Sequence, residues 1–112
     1  MSSKEYAKYI EEILNPFGPI KIRAMFGGYG VYKADLVFAI IVDSELYFKA
    51  GPSNIEYYKS QGSRPFSYNS KGKTISMSYY LVPLDVLEDE EMLQKWFDMA
   101  YEEAIDAKKK KK

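Results

Sequence analysis

Residues 21–50 read KIRAMFGGYGVYKADLVFAIIVDSELYFKA, and the architecture turns on this stretch. β-Branched and aromatic side chains dominate it, and the pairs Ala34-Asp35 and Asp43-Ser44 interrupt it where the chain must turn. The pattern predicts strands over Lys21 to Phe26, Tyr29 to Lys33, Leu36 to Val42 and Glu45 to Ala50. Such short connections allow only hairpins, so these strands form an antiparallel meander. Leu36 to Val42 is apolar on both faces, as expected of a central strand covered on each side. Glu45, Tyr47 and Lys49 instead alternate with Leu46 and Phe48.

Upstream, Ser2-Ser3-Lys4-Glu5 reads as a capping box before Tyr6, Ile10, Ile13 and Leu14 at helical spacing, predicting a helix from Ser3 to Leu14. Asn15-Pro16-Phe17-Gly18-Pro19 stops it. Downstream, Ser53-Asn54-Ile55-Glu56 reads as a second capping box for a short helix, with Gly62 as its left-handed terminator. Arg64 to Tyr68 and Lys73 to Val82 then form a hairpin around Asn69-Ser70-Lys71-Gly72. Its second strand carries Ile75, Met77, Tyr79 and Leu81 on one face and Thr74, Ser76, Ser78 and Tyr80 on the other. After Pro83, Asp85-Val86-Leu87-Glu88 makes one helical turn. Leu93, Trp96, Phe97, Ala100, Tyr101 and Ala104 then form a continuous helical stripe. The expected fold class is α+β: an antiparallel sheet with an N-terminal helix, a short middle helix and a long C-terminal helix.

The chain has 112 residues, 46% of them apolar, enough for one core; a single domain over residues 1–107 is expected, with 108–112 as a flexible polylysine tail. It contains neither Cys nor His, which excludes disulfides, thiolate nucleophiles, imidazole bases and the common zinc sites. No metal or cofactor is expected. Net charge is zero, yet residues 1–83 carry 10 basic and 7 acidic side chains, residues 84–107 carry 1 and 9, and 108–112 are all lysine. An acidic C-terminal helix repels phosphates, so nucleic-acid contact would need the tail or a local patch. The longest apolar run, Leu36 to Val42, is too short to span a bilayer, and the N-terminus lacks the apolar stretch of a signal peptide. A cytoplasmic location without membrane contact is expected.

Phe26-Gly27-Gly28-Tyr29-Gly30 is the most unusual local sequence. Its glycines allow a backbone cradle for an anion, with Arg23 supplying charge, but the spacing fits no nucleotide-binding pattern and a strand follows. A bulge or tight strand connection that only glycine fits is the weightier reading. Arg23 and Lys49 sit in strands, with Tyr47, Tyr79 and Tyr80 as neighbours on one sheet face. Together they suit a carboxylate, a phosphate or an acidic partner surface, against the plainer reading of solvated side chains. The candidate binding residues are therefore Arg23, Gly27, Gly28, Lys49, Tyr79 and Tyr80, with no catalytic residue. The 11 tyrosines and 6 phenylalanines supply packing first and base stacking or interface contacts second. Glu11-Glu12, Glu88 to Glu91 and Glu102-Glu103 are read as solvated or helix-dipole charges, without a site.

Several of these motifs carry a family resemblance: Arg23 through Tyr32, Phe38-Ala39, Leu46-Tyr47-Phe48-Lys49, Pro65-Phe66-Ser67-Tyr68, Met77 through Pro83, and Trp96 followed by Ala100 and Ala104. In that order they resemble the N-terminal domain of TfoX/Sxy-type competence regulators over nearly the whole chain. The resemblance implies a compact, secretion-chaperone-like α+β fold and a regulatory role. Full family members act as positive regulators of DNA-uptake genes with the cyclic-AMP receptor protein at promoters. They also carry a helical C-terminal domain, whereas this chain ends in lysines after its final helix, so a stand-alone N-terminal module is expected. The leading expectation is a non-enzymatic regulatory or adaptor module whose partner is another protein, a transcription factor among the candidates, with a homodimer as a further one. The alternatives are a nucleic-acid binder using sheet aromatics and the lysine tail, and a small-anion binder or enzyme at Arg23 and Gly27-Gly28.

Overall fold

A computed structural model describes residues 3–25 and 27–110. Helix α1 (Ser3–Leu14) and a 3₁₀ turn (Asn15–Phe17) lead into β1 (Lys21–Met25), β2 (Gly28–Lys33), β3 (Leu36–Val42) and β4 (Glu45–Lys49). Helix α2 (Ile55–Ser60), strands β5 (Pro65–Ser70) and β6 (Lys73–Leu81), and helices α3 (Leu84–Leu87) and α4 (Glu90–Lys110) complete it. The strands form one antiparallel sheet in the order β1-β2-β3-β4-β6-β5. The meander is therefore as expected, and β6 returns to lie against β4 while β5 takes the outer edge. Paired turn residues reach positive φ at Ala34 and Asp35, Asp43 and Ser44, and Lys71 and Gly72, as tight hairpins require. Gly62 ends α2 at φ 71°, as expected.

The helices pack on one face of the sheet. Ile10 and Leu14 of α1, Tyr58 of α2, Val86 of α3 and the α4 stripe of Leu93, Trp96, Phe97, Ala100 and Ala104 meet Val31, Phe38, Ala39, Ile41, Leu46 and Phe48. The ring of Phe38 lies 4.9 Å from Phe97, edge to face. Register slips between Val31↔Ala39 and Tyr32↔Val37, which makes Phe38 the extra residue of a bulge. Both Phe38 and Ala39 thereby join the main core.

Several local expectations differ from the structure. Ser53 does not cap α2: Asn54 occupies the N-cap without a side-chain cap bond. Its carboxamide instead accepts from the Gly51 N–H (2.8 Å) and donates to the Lys49 carbonyl (3.1 Å). Ser53 turns to Glu103, whose carboxylate accepts from the Ser53 N–H (2.9 Å) and hydroxyl. Glu103 is thus buried, not solvated. Helix α4 extends through Lys110 into the lysine run, where cations complement the negative end of the helix dipole. Ser2 of the first capping box, Phe26, Lys111 and Lys112 lie outside the described residues, as do the side chains of Thr74, Ile75, Ser76 and Met77.

Candidate functional site

The other face of the sheet carries no helix among the described residues. Strand alternation and register place Arg23, Gly30, Ile40, Tyr47 and Leu81 in one rung across β1, β2, β3, β4 and β6. Ile40, Tyr47 and Tyr79 form a second apolar cluster there, with Val42, Phe66 and Leu81 packed against it. β3 is therefore buried on both sides, but its second cover is made by the sheet's own side chains. Tyr47 and Phe66 meet edge to face at 5.3 Å.

Charge rims this cluster. The Tyr47 hydroxyl donates to Glu45 Oε1 (2.9 Å), and Arg64 donates to the same oxygen (2.8 Å) and to the Tyr47 hydroxyl (3.4 Å). Burial pushes the Tyr47 pKa up and the bond to Glu45 adds to it, while Arg64 opposes. The Arg23 guanidinium stands over the Tyr32 ring at 5.3 Å, and the Lys49 ammonium over the Tyr79 ring at 5.2 Å. Lys49 also donates to the Ser78 hydroxyl (2.7 Å). Burial raises the Tyr79 pKa, and the neighbouring Tyr32 phenol raises it further.

The six residues singled out from sequence divide between the open face, the helix side and the turn between β1 and β2. Arg23, Lys49 and Tyr79 share the open face, but Arg23 on β1 and Lys49 on β4 are three strand spacings apart, about 14 Å. Tyr80 lies on the helix side, its ring 5.6 Å from Tyr58, because neighbouring strand residues point to opposite faces. Gly27 takes φ 74° in the turn between β1 and β2. A Cβ at Gly28 would collide with the Ile41 carbonyl oxygen, and one at Gly30 would collide with Met25 Sδ. Gly28 and Gly30 thus allow close strand packing, while Gly27 supplies a left-handed turn residue. Sequence reasoning passed over Tyr32, Glu45 and Arg64. Period-two alternation from Tyr47 would have found Glu45, but Arg64 joins only through the return of β6 beside β4.

Among the described residues, no group of three or more His, Cys, Asp or Glu side chains could hold a metal ion. What this face offers is a broad surface: an aromatic and aliphatic centre with guanidinium and ammonium groups stacked on tyrosines at its margins. Such surfaces suit contact with another macromolecule.

Residues 12–104 match the TfoX N-terminal domain. The chain is similar to Protein Sxy of Escherichia coli (strain K12), 32% identical over 72 residues, or 64% of this chain and 34% of that protein. It is also similar to DNA transformation protein TfoX1 of Aliivibrio fischeri (strain ATCC 700601 / ES114), 27% identical over 63 residues, 56% of this chain and 30% of that one. It therefore spans about a third of the length of the curated relatives it matches. With the match running from the last turn of α1 to the end of the α4 stripe, the chain belongs to the TfoX N-terminal domain family.

Proposed function

We propose that the chain is a non-enzymatic regulatory or adaptor module that works by holding another protein against the open face of its sheet. One observation carries this reading: an apolar, tyrosine-rich cluster lies on a face without a helix and is rimmed by Arg23, Lys49 and Arg64. The name of one relative, DNA transformation protein TfoX1, supports a role in the control of DNA uptake, with a transcription factor among the candidate partners.

Val37 provides the test. It pairs with Tyr32 on the open face, is half-buried and belongs to neither core cluster. Val37→Glu should leave folding intact and abolish retention of the protein that the tagged chain holds in its own cells. Retention unchanged by Val37→Glu would reject the open face as the binding surface.

Nucleic acid is the second reading, favoured by cations stacked on tyrosines of an open sheet. It requires that single-stranded oligonucleotides bind the chain after removal of residues 108–112 and lose affinity in Tyr79→Ala. Binding that disappears with the lysines would be general electrostatics.

A further inference from the structure

We propose that the outer edge of β1 accepts an extended acidic peptide as a seventh strand, with the peptide's carboxylates opposite Lys21 and Arg23. This rests on the reading that the chain works by protein contact, and it adds a second surface and the chemistry of its occupant.

Among the described residues β1 pairs only with β2, so its outer backbone N–H and C=O groups face away from the sheet. Pairing with β2 is regular from Lys21↔Tyr32 to Met25↔Gly28, without a bulge to twist the edge aside. The strand holds no proline, and Lys21, Arg23 and Ala24 are exposed. The opposite edge, β5, opens on Pro65, which has no N–H to donate, and its register with β6 is broken next to that residue. Of the two edges, β1 is the one left able to pair.

Charge selects the occupant. Lys21 and Arg23 alternate with Ile22 and Ala24, so both cations lie on the open face. Arg23 is held on the Tyr32 ring, and neither cation is joined to a carboxylate among the described residues. A second copy of this chain is disfavoured: antiparallel pairing of all five residues of β1 with their equivalents sets Arg23 against Arg23. An acidic side chain at that position reverses the sign, with Cβ atoms about 5 Å apart across a strand pair. On the other face, Ile22 packs against the core and leaves an apolar neighbour for the alternate residues of the peptide. The favoured pattern is therefore acidic and apolar residues in alternation.

The probe is a short labelled peptide in which Glu alternates with Val; its counterpart has Lys for Glu. Titrated against the full chain by fluorescence anisotropy, the Glu peptide should bind about tenfold or more tightly than the Lys peptide, and the double variant Lys21→Glu, Arg23→Glu should invert that order. N-methylation along one edge of the Glu peptide should abolish binding while N-methylation along the other spares it, a readout on the unaltered chain. Amide resonances of residues 21–25 should shift. No binding, equal binding of both peptides, identical effects of the two N-methylation patterns, or shifts confined to Ile40, Tyr47 and Tyr79 would overturn the proposal. If the Glu peptide fails while Val37→Glu still releases the cellular partner, the edge is wrong and the face stands. If the peptide binds at β1 while Val37→Glu releases nothing, the reverse holds.

Discussion

Tyr58 sits fully buried on α2, its ring 4.6 Å from Trp96, yet its hydroxyl has no hydrogen-bond partner among the described residues. Burial pushes its pKa far up. Removing a buried, unpartnered hydroxyl relieves a desolvation penalty, so Tyr58→Phe should raise unfolding stability by about 1 kcal/mol, read from the urea midpoint. A loss of stability would mean that the hydroxyl has a partner. Glu103 behaves oppositely. It accepts two hydrogen bonds from Ser53, and a Cβ on Gly51 would collide with its carboxylate. Glu103→Ala should cost about 2 kcal/mol in the same measurement, because it removes two hydrogen bonds made to a carboxylate. Neither environment was legible in the sequence. Glu103 does stand seven residues after Trp96, on the flank of the apolar stripe, but that spacing alone does not reveal that Ser53 lies opposite.

For helices and strands, local signals were sufficient. Helix α1 runs over Ser3–Leu14 as its periodicity predicts, and the strands of the meander end within a residue or two of their turn pairs. Their cues are short-range: β-branched runs, positive-φ turn residues and a helical stripe. Tyr79 and Tyr80 show where such cues stop. Alternation separates them, but which one faces the helices depends on β6 pairing with β4, a contact between residues far apart in the chain. The α4 stripe is the firmest reading, and Trp96 is its anchor, with edge-to-face contacts to Tyr57 and Tyr58. Trp96→Ala should cost about 3–5 kcal/mol, seen as a large drop in Tm, whereas replacement of exposed Asp98 by Lys should change stability little.

Across the protein, several tyrosines share one electrostatic feature: burial raises the pKa of Tyr6, Tyr47, Tyr58 and Tyr79. The folded state keeps these protons at a pH where the unfolded chain has released them. Their contribution is therefore fully present below about pH 10 and is lost as pH rises above it. Melting curves between pH 8 and about pH 11 should show a constant Tm at first and then a steep fall, less steep in Tyr58→Phe. The two-faced architecture, helices on one side and an aromatic cluster on the other, was only half visible in the sequence, since it depends on a sheet order that no local pattern encodes. That architecture underlies the proposal that the open face holds a protein partner. The decisive experiment is quantitative capture from the chain's own cells, using wild type, Val37→Glu and the helix-face control Asp98→Lys at equal abundance and equal Tm. A specific protein should be retained by wild type and control and lost from Val37→Glu; the same retained set for all three would refute the open face as the binding surface.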